Sequence, residues 1–435
     1  MSVQPGTGAR DGGLTTFVAA SLRRNFAALA SDYGLFNLGM TFASVSTILP
    51  AFAEHLGAGN LVIGAIPSIV AVGYAFPPLF SANHTERLSR KLRFILAYTV
   101  WERVPLLMLA GAAYFLAESS PGLVLVAQLG LLALMSSVGG ALMPAWMDLI
   151  GKVIPTNLRG RLFATANTLG AGLGLGGAAL AGYYLEAYPF PLDYTLCFAT
   201  GFGALALSFV FLSLTVEPEL ASGKPHVGLG TYLRRLPGVL ARDRDFTWYL
   251  VSRAVGAFGG MASGFYTVFA LRTLGAPEWE VARFTFVLLA GQAAANLLFG
   301  YVADHVGHKP VLVAGALAAV AGNAVALASG RVEQVYVVFL GLAVSLAAGA
   351  VSALNLSMEF APPADRPTYV GLASTLVAPA AFVAPLVGGL LADYAGYRAV
   401  FALAGLVSLL SAAVLVVRVR DPRRAARSAD SAASS

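Results

Sequence analysis

The sequence predicts an all-helical integral membrane protein, with twelve spans arranged as two related six-helix halves. Three observations carry this. First, 57% of the 435 residues are hydrophobic and only 11% are charged, whereas about a quarter of a soluble domain is charged. Second, a helix needs ~20 apolar residues to cross ~30 Å of hydrocarbon. Runs of that kind recur at 31–54, 61–82, 94–116, 122–147, 162–185, 194–215, 246–271, 280–303, 310–329, 334–357, 368–391 and 398–418. Third, the chain repeats itself. Setting Lys91 on Lys309 also sets Leu56-Gly57-Ala58 on Leu274-Gly275-Ala276, Ala82 on Gly300 and Glu86 on Asp304. After a deletion in the second copy, Thr168-Leu169 falls on Thr375-Leu376, Arg159 on Arg366, Pro155 on Pro362 and Asp148 on Asn355. Repeats of this length in an apolar chain point to two halves related by pseudosymmetry.

Residues 1–30 read as a cytoplasmic segment. Leu14, Phe17, Val18, Leu22, Phe26 and Leu29 recur at helical spacing, which predicts a short interfacial helix leading into the first span. A cleavable signal is not expected, because Arg23 and Arg24 come late and a full span follows. The first half covers 31–216. Residues 217–245 form the longest polar stretch between spans, with Pro218, Pro225, Pro237 and a cluster of basic residues. They read as the linker between halves. The second half covers 246–418. Residues 419–435 are rich in Arg, Ala and Ser and read as a disordered basic tail held near anionic lipid.

Most of the 28 lysines and arginines fall on one side of this topology. The opposite ends hold only Arg272, Arg283, Arg331 and Arg398, while Arg103 and Arg253 fall within spans. That asymmetry places both termini in the cytoplasm of a multi-pass protein of the cytoplasmic membrane. Cys197, the one cysteine, lies inside an apolar run, so no disulfide framework is expected. The histidines are scattered, and His305 with His308 is too few ligands for a metal site. No metal or other cofactor is expected.

The loop Gly300-Tyr-Val-Ala-Asp304-His305-Val-Gly307-His308-Lys309 turns between two spans. It resembles the Gly-x-x-x-Asp-Arg-x-Gly-Arg-Lys signature of the major facilitator superfamily, with histidine at 305 and 308 where the family has arginine. The first copy, Ala82 to Lys91, departs at Ala82, Glu86 and Ser89. The resemblance runs from about Asp32 to Arg420. It implies a secondary transporter of a small solute that rocks two halves around a midplane site. Glu359-x6-Arg366 resembles the family's pattern after the tenth span, and Asp148, Arg159 and Arg161 form a stretched version in the first half. These residues, with Glu86, Arg87, Arg90, Lys91, Asp304, His305, His308 and Lys309, are the expected cytoplasmic lock. Their acids and bases would pair when that side is shut. The plainer reading is charges that only set topology. Gly172-Leu-Gly174-Leu-Gly176-Gly177 fits a dinucleotide fingerprint but lies within an apolar helix, so helix packing is the better reading. This segment and Ala384-Pro385-Leu-Val-Gly388-Gly389 also resemble the antiporter signature of the fifth span, each with a departure.

Charges within spans are costly and so point to function. Glu102 lies eight residues past Phe94, ~12 Å along a helix. It is the candidate proton carrier, with structural pairing to an arginine as the alternative. In the family that the loop resembles, spans 1, 4, 7 and 10 line the cavity, and that resemblance implies that Arg253 on the seventh span is placed for substrate. Asn37, Trp146, Phe258, Tyr266, Gln292, Asn296 and Asn355 complete the candidate cavity. The partners expected are a small solute, protons and the bilayer, with no nucleic acid and no second copy of the chain. Proton coupling is the leading expectation. An uncoupled facilitator and an exporter of amphiphiles are the alternatives of the same fold. From other classes come a membrane enzyme, for which the chain carries no motif, and a receptor or scaffold that has lost transport.

Overall fold

The computed structural model describes residues 7–219, 238, 240, 242–362 and 366–422. In the first half, α1 (Thr7–Thr41) and α2 (Ile48–His55) make the first crossing. Helices α3 (Asn60–Ala75) and α4 (Pro77–Glu86) make the second, and α5 (Lys91–Tyr98) and α6 (Val100–Leu116) the third. Then come α7 (Pro121–Val153), α8 (Thr156–Ala187) and α9 (Leu192–Ser213). In the second half, α10 (Arg244–Gly259) and α11 (Phe265–Leu274) share the seventh crossing. They are followed by α12 (Trp279–His305), α13 (His308–Ala328) and α14 (Glu333–Phe360). The last two crossings form one continuous stretch, α15 (Arg366–Arg418), which turns at Gly396 with φ 77°. Among the described residues nine helical stretches are long and apolar enough to span. One of them, Tyr369–Arg418, holds two crossings. The broken first crossing and the glycine-rich α8 complete the twelve.

Two expectations change here. Helix α1 runs unbroken from Thr7, so no separate interfacial helix precedes the first span. Asn25 explains the docking of this extension. Its amide donates to Val216 O at 3.0 Å and accepts from Val216 N at 2.8 Å, which ties it to the end of α9. Glu217, expected to open the linker, is instead packed into the first half. Most of the remaining linker and the tail from 423 lie outside the described residues.

The repeat is visible in the backbone. Gly57 and Gly275, set on one another by the sequence, both take left-handed φ, 78° and 68°. A side chain would strain that turn. The first and seventh crossings are both interrupted midway, between α1 and α2 and between α10 and α11. An interrupted span must have its freed polar groups satisfied by protein. Thr267 Oγ1 does this across the halves, donating to Ser46 O at 2.8 Å. Thr47 and Thr285 hydroxyls meet at 2.7 Å beside it.

These contacts lie at the end of the bundle remote from both termini, here the distal end. The apolar core there is shared, with Phe42, Phe52 and Ile63 of the first half packed in one cluster with Phe265, Phe284 and Phe401 of the second. Toward the termini, the proximal end, the cores are separate. One holds Leu29, Ile95, Leu149 and Leu162, another Phe246, Leu356 and Leu372. The halves are therefore joined distally and carry independent cores proximally. Small residues let the distal backbones approach. A methyl group at Gly64 would meet Pro385 O at 2.3 Å, and one at Gly389 would meet Asn60 O at 2.7 Å. Of the glycine motif of α8, Gly174 and Gly177 serve packing, while Gly172 and Gly176 have open space beside them. Gly170, Gly174 and Gly177 lie against Asn37, Thr41 and Leu38 of α1.

Candidate functional site

The first half encloses a cavity of about 280 Å³, lined among others by Asp32, Asn37, Tyr74, Glu102, Arg103 and Trp146. Three helices converge on Arg103. Its Nη2 reaches Asp32 Oδ1 of α1 at 3.3 Å and Ser208 Oγ of α9 at 3.0 Å. Its Nε donates to Leu205 O at 3.1 Å. Its Nη1 contacts the Thr99 hydroxyl and lies 3.5 Å from Glu102 Oε2. Ser208 Oγ also donates to Asp32 Oδ1 at 2.6 Å, and Thr99 Oγ1 to Glu102 Oε2 at 2.9 Å. The pocket thus holds two buried carboxylates and one guanidinium. The second Glu102 oxygen, Oε1, faces the space above Gly139 and the Tyr74 hydroxyl. A methyl group at Gly139 would sit 2.5 Å from that oxygen. Tyr33 and Trp146 stack at 6.0 Å along the wall, and Arg103 lies 5.6 Å above the Phe36 ring.

Asp32, at the edge of the first expected span, joins Glu102 as a second buried acid, because α1 starts well before residue 31. Arg103 is adjacent to Glu102 in sequence, and so ~100° away around a helix, yet it reaches the carboxylate, because a long flexible side chain is not bound to the direction of its Cα. The signal that could have found the network is spacing: Ser208 and Leu205 on α9 lie one turn apart, and both face Arg103.

The second half has its own cavity, of about 510 Å³, lined by Arg253, Tyr249, Tyr266, Asn323 and five serines among others. No carboxylate lines it. Arg253 Nη1 lies 3.5 Å from the Tyr249 hydroxyl, which donates to Ala353 O at 2.6 Å. Tyr266 donates to Asn323 Oδ1 at 3.0 Å. Of the cavity candidates, Asn37 and Trp146 line the first pocket, and Arg253 and Tyr266 the second. Phe258, Gln292, Asn296 and Asn355 line neither. Phe258 packs on the distal core, and Asn355 donates to Val351 O of its own helix at 2.7 Å. Arg253 and Glu102 stand in different pockets.

The proximal charges close on their own halves. Lys91 is buried and pairs with Asp148 at 2.9 Å, and its Nζ also donates to Leu88 O at 2.7 Å. Lys152 joins Asp148 at 4.0 Å and Glu217 at 3.2 Å. Glu217 in turn accepts the Lys91 and Leu92 amides at 2.9 and 2.7 Å, capping α5. Arg90 reaches Glu219 at 3.2 Å. Arg159 does not pair with Asp148. It donates to Ile154 O and Gly151 O, the free carbonyls at the end of α7. Arg87 and Arg161 are exposed. In the second half His308 is buried. It bonds Ser352 at 3.1 Å and lies 3.9 Å from Glu359. Lys309 donates to Val416 O and Val419 O at the end of α15. His305 bonds Tyr301 O of its own helix, and Asp304 is exposed beside it. The side chains of Glu86 and Arg366 lie outside the described residues.

Comparisons fit this architecture. The sequence model of the Major Facilitator Superfamily matches residues 274–434. A chloramphenicol resistance protein of Pseudomonas aeruginosa is 33% identical over 135 residues, and the match spans 30% of this chain and 30% of that protein. A mutant of the nucleoside transporter NupG superposes with a TM-score of 0.72 at 14% identity, covering 91% of this chain and 100% of that one. A bacterial homologue of the human lysosomal transporter Spinster, solved inward-facing and unoccupied, gives 0.65 at 16% identity over 95% and 96%. The D-xylose-proton symporter gives 0.64 at 16% identity over 91% and 98%. Residues 274–434 thus match the superfamily's sequence model, and the chain as a whole shares the fold of these transporters.

Proposed function

We propose that the chain is a proton-coupled secondary transporter of a small solute. It resides in the cytoplasmic membrane with both termini in the cytoplasm and works by alternating access. The observation that carries this reading is the pocket of Asp32, Arg103 and Glu102. Charges are kept at such depth at a cost, and in spans they mark ion paths. Two carboxylates around one guanidinium leave the pocket neutral when one carboxyl holds a proton. Asp32 is engaged by Arg103 and Ser208, while Glu102 keeps one oxygen toward the cavity. Glu102 is therefore the group that takes and releases the proton, and Arg103 and Thr99 hold its other oxygen in place. The distal end is outside. The proximal clusters of Lys91 with Asp148, and of His308 with Glu359, each lie within one half, so they brace the helix ends of that half rather than lock the two halves together, and transport is performed without chemistry on the solute.

Export of neutral amphiphiles is the second reading. It is favoured by the chloramphenicol resistance protein and by the second cavity, whose lining is mostly small and apolar, with hydroxyls, one amide and the single charge of Arg253. Chloramphenicol is accordingly the first probe of a solute panel, tested by counterflow and by pH-driven accumulation in proteoliposomes. Glu102→Gln is expected to abolish gradient-driven accumulation while leaving solute exchange intact. A variant that still concentrates solute on a pH gradient removes Glu102 from the coupling step. A chain that exchanges no solute of the panel, though folded, argues for a scaffold.

A further inference from the structure

The distal end carries two ion pairs side by side, both joining the halves, and they differ in chemistry. Glu54 Oε1 and Arg272 Nε meet at 3.1 Å. Arg272 also donates to Ala58 O at 2.6 Å and to Asn60 Oδ1 at 3.3 Å in the first half. The neighbouring pair is His55 Nδ1 with Glu278 Oε1 at 2.6 Å. Of the side-chain types in the two pairs, imidazole is the one that ordinarily changes charge between about pH 5 and pH 8. His55 is the residue after Glu54, just past the end of the first span. Glu278 precedes α12. The imidazole lies flat on Phe190, with ring centroids 3.9 Å apart. Both side chains of the pair keep about a third of their surface exposed (33% and 32%), so water reaches them with the distal end shut.

We propose that His55 and Glu278 form a proton-binding site on the outward face, whose occupancy latches the distal end closed. This rests on the alternating-access reading above. The charged groups facing His55 are Glu278 ahead of α12, Asp193 at the start of α9 and Glu54 on its own helix, with Arg272 of α11 held on Glu54. Acids outnumber bases around the ring. The hydrogen bond that the imidazole donates to Glu278 is the main cause that raises its pKa above the ordinary value, against a smaller opposing effect of burial. Opening the distal end takes Glu278 away with the second half. The proton is therefore bound more tightly in the closed state. By linkage, the extra stability of closure is present below the open-state pKa and is lost as pH rises through the closed-state pKa. External acid then favours the state open to the cytoplasm, independently of any proton on Glu102.

The test is a spin-label distance between the halves on the outward face. Ser119→Cys and Glu333→Cys are both exposed, and native Cys197 is fully buried. The full chain is measured in lipid nanodiscs in a Glu102→Gln background, which removes the acid assigned to the coupling step. Moving from about pH 8 to about pH 5.5, either side of the ordinary His value, should shift the distribution toward its short component. His55→Gln should lose that shift, and Glu278→Gln should lose it as a second, independent variant. A shift that survives in both variants, or no shift in the Glu102→Gln background, overturns the proposal. A chain that shows the shift yet carries no solute keeps the latch and sinks the transport reading. Transport without the shift sinks the latch alone.

Discussion

Arg103 shows how a membrane chain keeps a charge at depth. A guanidinium has five N–H donors and no acceptor. Here they are spent on Leu205 O, Ser208, Asp32, Thr99 and Glu102, so the cation is fully engaged. Removing it leaves Asp32, only 4% exposed, with the Ser208 hydroxyl and the Trp146 side chain as neutral partners and no counter-charge. Breaking a buried pair from one side costs about 3–5 kcal/mol. Arg103→Ala should therefore lower the thermal midpoint of the detergent-solubilised protein by several degrees. Arg103→Lys should recover little, since a point charge cannot reach three helices at once. Adding Asp32→Asn to Arg103→Ala should recover part of the loss. Unchanged melting of Arg103→Ala would show that the network is not what holds α1, α6 and α9 together. At this scale the sequence disclosed Glu102 and Arg103 as buried charges, through their position in an apolar run. It did not disclose their partner, because burial of Asp32 depends on where α1 enters the bundle, which packing decides.

Helix ends are governed by free backbone groups, and Glu217 meets two of them. It lies in a stretch rich in prolines and basic residues, which reads as linker. In the fold its carboxylate caps the first turn of α5, where amides lack intrahelical partners and the helix dipole favours an anion. Lys152 holds it from α7. The third, fourth and sixth crossings are thereby tied at one point. Glu217→Gln should cost about 1–2 kcal/mol, as loss of a charged cap does. The readout is hydrogen exchange. Amides at 91–94 should exchange faster, while those of α14 stay as they were, and equal protection at 91–94 would remove Glu217 as the cap. Elements were legible wherever apolar length alone decides, as in α7, α13 and α14. The interruptions in the first and seventh crossings were not, because they depend on Thr267 and Thr285 arriving from, or reaching into, the opposite half.

Two copies of one repeat, facing each other across a pseudo-twofold axis, bring equivalent positions together. Glu54 and Arg272 are separated by 218 residues, the same interval that sets Lys91 on Lys309, and they pair with each other at the distal junction. An unmodified repeat would put like charges there and repel; opposite charges turn the axis into a clasp. The repeat was legible from the glycine turns and signature loops. That its equivalent positions touch was not, because the sequence gives register within each half and not the state in which the halves meet. The clasp makes a reciprocal prediction. Glu54→Arg alone sets two guanidinium groups against each other, and Arg272→Glu alone sets two carboxylates. Either should populate the distally open state and lengthen the distance between labels at Ser119→Cys and Glu333→Cys. The double variant restores an ion pair with its polarity reversed. Both side chains are 25–29% exposed, so the pair itself is worth about 0–1 kcal/mol. The restored share of the closed state should therefore be at most about fivefold above the single variants. Restoration should also be partial, because Arg272 has further contacts to Ala58 O, Asn60 and Tyr397 that a glutamate cannot make. A double variant as open as either single one would mean that closure depends on those neutral contacts, and that the charge opposition at the axis contributes nothing.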